Sequence, residues 1–288
     1  FSTRYFNNED KKLFSYATDL IPLEGVRAMQ SRPLLASVLP SIENQITGLE
    51  TLAQFFANPA RMLLRDRLGI LLARPDGQLP TREPVALDFI ARRTLAEAAL
   101  QARLAGEPRE PFAARLHASG KLPVGTPGDL LLEAAWQQVA KLAPRLTMLL
   151  STINLEPVMV DAMVDGTRLQ TSLDNVTGEG LICHSVGKPG PHDLLKFWFS
   201  HLALNTSAGV ALGYSRMLTP DKTVTFSPVD NPLEILGNLV SLYREGMTRA
   251  LAFFPRSAWA YISTAGDPET ASARAWQGSE YKVGEADN

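Results

Sequence analysis

Apolar residues change their spacing near residue 155, and this change divides most of the chain into two stretches. Between residues 47 and 150 they recur every three or four positions, which is typical of helices that bury one face. We expect Thr47 or Thr51 to cap the first helix, a break at Asn58-Pro59, and an end at Gly69. The predicted helices span residues 47–72 (as two helices), 86–105, 109–117 and 128–142.

After residue 155 the apolar residues alternate in short runs between turn residues, which predicts strands. An Asp165-Gly166 pair between two such runs is typical of a tight hairpin turn. We predict strands in 156–176 (two, joined by this turn), 181–186, 209–218, 223–226 and 251–254, helices at 193–204 and 232–247, and a polar tail. This order predicts an α/β fold with a mixed sheet flanked by helices, preceded by a largely helical region.

The first 46 residues show no regular period. Aromatic residues are scattered there among polar ones, at Phe1, Tyr5, Phe6, Phe14 and Tyr16. We therefore predict an extended N-terminal arm at 1–46, a helical region at 47–150 and an α/β core at 151–288, with residues 47–288 forming one domain.

Composition limits the classes of function. The chain has 288 residues, a formal net charge of −2 and one cysteine, Cys183. A domain that binds DNA through phosphates usually carries surplus positive charge, so any DNA contact should be local. The single cysteine is typical of a reducing cytoplasm, and the apolar runs are too short to span a membrane. Because the chain starts at Phe1 and ends without a stop signal, we expect a fragment of a longer polypeptide.

Three sequence blocks resemble one known family. They begin at Phe1 (Phe-Ser-Thr-Arg-Tyr-Phe), at Phe55 (Phe-Phe-Ala-Asn-Pro-Ala-Arg) and at Tyr243 (Tyr-Arg-Glu-Gly-Met). They are similar to the C-terminal domain of RecC, the gamma subunit of bacterial exodeoxyribonuclease V, and the resemblance covers essentially the whole chain. It implies a restriction-endonuclease-like fold, similar to the nuclease domain of RecB. It also implies assembly with RecB-like and RecD-like subunits into a helicase–nuclease for double-strand break repair.

Nucleases of this fold hold a divalent metal with an Asp on one strand and an Asp/Glu-x-Lys motif on a later one. Asp174 falls at the first position, but Cys183 and Ser185 occupy the second motif. A neutral thiol and a hydroxyl do not replace a carboxylate and an ammonium group, and Lys188 comes three residues too late. We therefore predict a domain without catalytic residues, bound metal or cofactor. The alternative is an active nuclease that uses Glu179 or Asp161 with Lys188.

A zinc site is a further possibility, because Cys183, His184, His192 and His201 fall within 19 residues. Consecutive strand residues point to opposite faces, so Cys183 and His184 are poorly placed to share one ion. No Walker motif is present, so we expect no bound nucleotide.

Arginines on two predicted helices are candidate contacts to DNA phosphates. They are Arg61, Arg65, Arg67, Arg92 and Arg93. The alternative is a solvated surface, with Asp66 and Glu97 as ion-pair partners. The sequence thus predicts a non-catalytic domain that scaffolds a helicase–nuclease and guides duplex or forked DNA. The remaining alternative is a protein–protein adaptor without DNA contact.

Overall fold

The computed structural model of the chain describes Tyr5, Lys12, Phe14 and residues 34–35, 37–41, 46–71, 86–151, 157–178, 180–207, 214–279 and 282–286. Residues Leu39–Asn288 form one compact unit and Phe1–Val38 another. Most of the predicted arm lies outside the described residues. Of its aromatics, Tyr5 and Phe14 are described, and both side chains are exposed.

Ten helices and nine strands lie within the described residues. The helices are α1 Leu49–Ala57, α2 Pro59–Leu68, α3 Phe89–Leu104, α4 Arg109–Ala118, α5 Thr126–Gln138, α6 Leu142–Leu150, α7 Pro191–Asn205, α8 Pro232–Gly246, α9 Pro255–Ser263 and α10 Pro268–Gln277. The strands are β1 Ile46–Gly48, β2 Val158–Val164, β3 Thr167–Leu173, β4 Val176–Thr177, β5 Gly180–His184, β6 Ser215–Leu218, β7 Thr223–Phe226, β8 Gly278–Ser279 and β9 Lys282–Val283.

The predicted break between α1 and α2 is confirmed. The Asn58 side chain accepts a hydrogen bond from the main-chain nitrogen of Arg61 at 2.9 Å, and α2 ends at Gly69 in a left-handed conformation, φ 66°. The predicted cap at Thr47 or Thr51 is wrong, because Gly48 precedes α1 and gives no side-chain cap. Residues 46–48 are extended instead, because they pair with β3 as strand β1.

The predicted helix at 128–142 is confirmed up to Gln138 and is wrong only at its C-terminal end. Helix α5 ends at Gln138 and α6 begins at Leu142. Val139 and Leu142 are both fully buried on either side of this turn. The apolar period therefore continues through the turn although the helix does not.

Two small mixed sheets replace the single mixed sheet that we expected. One has the order β1-β3-β2 and the other β4-β5-β6-β7. The β2–β3 hairpin is confirmed, with Asp165 and Gly166 both at positive φ. Strands β5 and β6 are parallel, and α7 connects them. The strand expected at 209–218 is described only from Tyr214 onward, and 208–213 lie outside the described residues.

Strands β5 and β6 are covered on both faces by apolar clusters. Leu181 and Met217 belong to a cluster with side chains of α1, α7 and α8, named here the first core. Ile182 and Leu218 belong to a cluster with side chains of α3 to α6, named the second core. Because neighbouring residues of a strand point to opposite faces, the two cores lie on opposite sides of these strands.

The prediction for the C-terminal part is wrong. Residues 251–254 form no strand, and helices α9 and α10 replace the predicted polar tail. Helix α10 buries none of its residues, so it has no apolar stripe that a search for periodicity would detect. Its start carries a recognisable signal, because Asp267 accepts a hydrogen bond from the Thr270 nitrogen and Pro268 is the first helical residue.

Candidate functional site

The predicted metal-binding position lies at a break between strands. Asp174 and Asn175 separate β3 from β4, and Asn175 has a φ of 58°. The main-chain nitrogen of Ile182 on β5 donates to the Asn175 carbonyl at 3.0 Å. The β4–β5 pairing ends at Val176 opposite Leu181, so Asp174 precedes the paired residues and lies beyond the bend at Asn175. Cys183 on β5 is paired with Met217 on β6, so the proposed proximity of Asp174 and Cys183 stays a prediction.

The chemistry at this position is poor in charge. Asp174 is exposed, whereas burial raises the pKa of the Cys183 thiol to about 11, so the thiol is neutral near pH 7. Ser185 is buried, and its hydroxyl has no hydrogen-bond partner within the described part of the chain. This edge therefore offers one carboxylate where metal-dependent hydrolysis needs an acidic pair and a cation.

His184 is engaged by a residue that sequence reasoning did not assign to it. Its Nε2 lies 2.7 Å from Oε1 of Glu97 on α3, and this hydrogen bond holds the pKa of the Glu97 carboxyl below its ordinary value. The two residues are 87 positions apart, so no local signal connects them. Among the described residues, no group of three or more His, Cys, Asp or Glu side chains is arranged to hold a metal ion.

The alternative catalytic ligands are placed differently. The Asp161 carboxylate on β2 accepts hydrogen bonds from Arg168 and from Gln170, and these bonds lower its pKa to about 2. Glu179 lies outside the described residues. Lys188 lies beyond β5, in the connection to α7.

The five candidate arginines lie on two helices that pack against different cores. Helix α2, which carries three of them, packs on the first core, whereas α3 packs on the second. Arg67 donates to the carbonyls of Met247 and Pro40 at 2.8 and 2.7 Å, and Arg92 donates to the Leu87 carbonyl.

The other three candidate arginines differ in whether the guanidinium group already has a partner. Arg65 pairs with Asp66, and both guanidinium nitrogens of Arg93 contact the Asp193 carboxylate at 2.9 and 3.1 Å. Arg61 is exposed and has no side-chain partner within the described part of the chain. Arg61 is therefore the candidate with the most accessible charge.

A basic cavity lies where the β5–α7 connection meets α9 and α10, and sequence reasoning missed it. Its volume is about 570 Å³. Its described lining includes Lys188, Arg256, Arg274 and Trp259, and it contains no acidic side chain. We name it the basic cavity. It could not be found from the sequence, because the two helices that form its wall were predicted as a tail.

Comparison with known proteins identifies the family. The model of the RecC C-terminal domain family matches residues 44–266. The chain belongs to this family. RecC, a RecBCD enzyme subunit of Escherichia coli strain K12, is 27% identical over 258 residues, which cover 88% of this chain and 22% of RecC. The chain thus spans about a fifth of the length of that relative, and the predicted family membership is confirmed.

No helix in the described part of this RecC-family chain is long and apolar enough to cross a membrane.

Proposed function

We propose that this chain is a non-catalytic, nuclease-like domain that scaffolds a helicase–nuclease of the exodeoxyribonuclease V kind and guides DNA through it. The observation that carries the proposal is the set of residues at and after the end of β5, where Cys183 is a neutral thiol and Ser185 a buried hydroxyl. A metal-dependent nuclease of this fold would need a carboxylate and a lysine at these two positions, and Asp174, which follows β3, would be the first metal ligand.

The topology supports a restriction-endonuclease-like core. Strand β2 is followed by the broken strand β3–β4, by β5, by α7, and by β6 parallel to β5. Three antiparallel segments, a crossover helix and a parallel strand are the arrangement that the family resemblance implies. In that arrangement the metal-binding Asp lies late on the second strand, and Asp174 directly follows the end of β3.

The loss of catalysis follows from the charges at this edge. A divalent cation prefers several oxygen ligands, and the carboxylate of Asp174 stands without a second one beside it. Asp161, the alternative second ligand, is held by Arg168 and Gln170 on the neighbouring strand β3. Those cationic and amide donors compete with any metal for the same oxygens.

Assembly with RecB-like and RecD-like subunits rests on the family and on the exposed apolar surface. The relative reported above, RecC of Escherichia coli strain K12, is a subunit of RecBCD enzyme. One face of the β2–β3 hairpin exposes Met159 and Met163 at 72% and 64% of their surface. Contiguous apolar surface is typical of sites that other proteins cover, and two methionines supply only a small area of it, so the assembly proposal rests chiefly on the family.

The test is a nuclease assay of the complete chain on linear duplex and single-stranded DNA with Mg²⁺ or Mn²⁺. We expect no degradation. DNA degradation that Asp174→Ala abolishes would overturn the proposal in favour of an active nuclease, and a further loss in Asp161→Ala would identify Asp161 as its second metal ligand.

A protein–protein adaptor without DNA contact is separated by a binding assay. Forked DNA is titrated with the chain at several salt concentrations, and we expect a linear fall of log affinity with log salt concentration. An absence of binding at low salt, with RecB-like and RecD-like subunits still co-purifying, would leave only the scaffolding part of the proposal.

A further inference from the structure

We propose that the basic cavity binds a short segment of single-stranded DNA, with phosphates at Lys188, Arg256 and Arg274 and a base stacked on Trp259. This inference deepens the proposed function, and it rests on the proposed contact between this domain and DNA.

The cations of the basic cavity are available to a ligand. Within the described residues, Lys188 and Arg274 have no carboxylate partner, and both side chains are exposed. One guanidinium nitrogen of Arg256 donates to the Val283 carbonyl at 2.9 Å, and its other two guanidinium nitrogens have no hydrogen-bond partner among the described residues. The chain carries a formal charge of −2, so three cations around one cavity are a local concentration. Such a concentration attracts an anion.

The nearby carboxylate of Glu285 reduces the local positive charge but forms no ion pair with the three cations in the described part of the chain. It accepts hydrogen bonds from the main-chain nitrogens of Arg256 and Ser257 at 2.9 and 2.7 Å, and from the Ser257 hydroxyl at 2.6 Å. Glu285 therefore caps the first turn of α9, and its oxygens are already used. The α7 N-terminus is likewise satisfied, because Asp193 accepts from the Gly190 nitrogen, so we assign it no part in binding.

An apolar groove adjoins the basic cavity. It has a volume of about 290 Å³, and its lining includes Trp198, Phe226 and Phe253. Pro191 and Trp259 line both spaces, and 43% of the Trp259 side chain is exposed. Phosphate-binding cations thus lie next to an accessible aromatic ring.

This pairing of charge and aromatic surface favours single-stranded DNA. A nucleotide carries a phosphate and a flat base, and proteins bind single strands by combining a cationic groove with stacking on aromatic side chains. In a duplex the bases already stack on one another, so their faces are not accessible to Trp259. The volume is in the range of sites for small ligands, roughly 300–1,000 Å³, which admits one or two nucleotides. An acidic peptide would satisfy the cations but gives no flat ring for the tryptophan.

The test measures binding of a fluorescent 20-residue oligothymidylate to the complete chain by anisotropy, at a series of salt concentrations. The variant Lys188→Glu with Arg274→Glu removes two cations. The matched control, Lys141→Glu with Lys222→Glu, makes the same change of net charge at two exposed lysines that do not line the cavity. A second pair, Lys188→Gln with Arg274→Gln, removes charge without reversing it, in case the first variant does not fold.

We expect the cavity variant to weaken binding by tenfold or more and the control to weaken it much less. Because each phosphate contact to a single strand contributes about 0.7 to the slope of log affinity against log salt, losing two should reduce the slope by about 1.4. Trp259→Ala should weaken binding by about 5- to 150-fold, because one base stacked on an aromatic ring contributes about 1–3 kcal/mol. Trp259→Phe keeps an aromatic ring and should retain most of the affinity.

Three outcomes would overturn this inference. Equal losses in the cavity and control variants would place the DNA elsewhere on the chain, and the proposed function would stand without the cavity. Binding of a polyglutamate peptide as tight as that of oligothymidylate, with the same loss in the Trp259 variants, would assign the cavity to acidic peptides. No oligothymidylate binding by the unaltered chain, even at low salt, would remove both the cavity proposal and the DNA-guiding part of the proposed function.

Discussion

Replacing Cys183 with Asp and Ser185 with Lys should recreate a metal site and make the stability of the chain depend on metal. The thiol at residue 183 has its pKa raised from 9.0 to about 11 by burial. Since each pKa unit corresponds to about 1.4 kcal/mol, this environment disfavours an anion by about 3 kcal/mol. An ionised Asp at position 183, at the predicted proximity to the like charge of Asp174, should destabilise the metal-free variant by up to about this amount.

A bound divalent cation should reverse that loss. Two carboxylates on facing strands form the oxygen-rich site that Mg²⁺ and Mn²⁺ prefer. Metal at about 100 times its dissociation constant stabilises the folded state by about 2.7 kcal/mol, which is close to the loss. We expect Mn²⁺ to raise the melting temperature of the double variant and to leave the unaltered chain unchanged. Cleavage should recover less readily, because misplacing the reacting groups by about 1 Å can cost on the order of 100-fold.

The assay is thermal unfolding with and without Mn²⁺, together with calorimetric titration. The control adds Asp174→Ala to the double variant, which removes the facing carboxylate while keeping the two new residues. If Mn²⁺ stabilises both variants equally, or neither, then Asp174 and residue 183 do not face one site, and the nuclease-like alignment is wrong.

Three further predictions concern stability. Burial lowers the pKa of His201 in the folded state, so the unfolded chain takes up its proton at a higher pH than the folded chain does. The free energy of unfolding should therefore decrease as the pH falls below about 6.5, and His201→Gln should flatten this dependence in urea titrations at pH 5–8. Gly246→Ala should lower the free energy of unfolding by about 1–3 kcal/mol, because the new Cβ would lie 2.3 Å from Cζ of Phe55. Gly178→Ala is the matched control, because its new Cβ meets no atom within 4 Å. Equal unfolding free energies of the two variants would refute this prediction. Glu285→Ala should remove the hydrogen bonds that cap the first turn of α9 and lower the free energy of unfolding by about 0.5–2 kcal/mol. Amide hydrogen exchange in that turn should become faster, and unchanged exchange would contradict this role.

The parts of the fold that sequence reasoning found are those with a strong local signal. Asn58-Pro59 and Gly69 mark helix ends through backbone geometry, and Asp165-Gly166 specifies a tight turn through positive φ. These features depend on residues that are neighbours in the chain. The hairpin and the α1–α2 break were therefore predictable from sequence alone.

The failures share a different cause, which is that packing between distant segments decided the outcome. Residues 46–48 are extended because β3, more than 100 residues later, pairs with them. Val139 is buried although it lies in the turn between α5 and α6, so a buried apolar residue at the helical spacing does not show that the helix continues. In the site, the contact of His184 with Glu97 and the two carbonyls that Arg67 binds join residues far apart in the sequence. Periodicity and motifs carry no information on such pairs.

The segment of the basic cavity that contains Lys188 directly follows β5, the strand that carries Cys183. Ser185 ends the strand segment that would carry the catalytic lysine, and Lys188, three residues later, lines the basic cavity. A catalytic lysine at position 185 would have to reach the metal and the scissile phosphate. Lys188, in the connection to α7, instead lines a cavity with two arginines and a tryptophan. A cation in that connection can still hold a phosphate by charge alone, because phosphate binding needs no metal and no aligned water. A domain without an acidic pair can therefore still contact the DNA backbone. Under the proposed function, Lys188→Glu should impair DNA binding, and we expect no nuclease activity in either the unaltered chain or the variant.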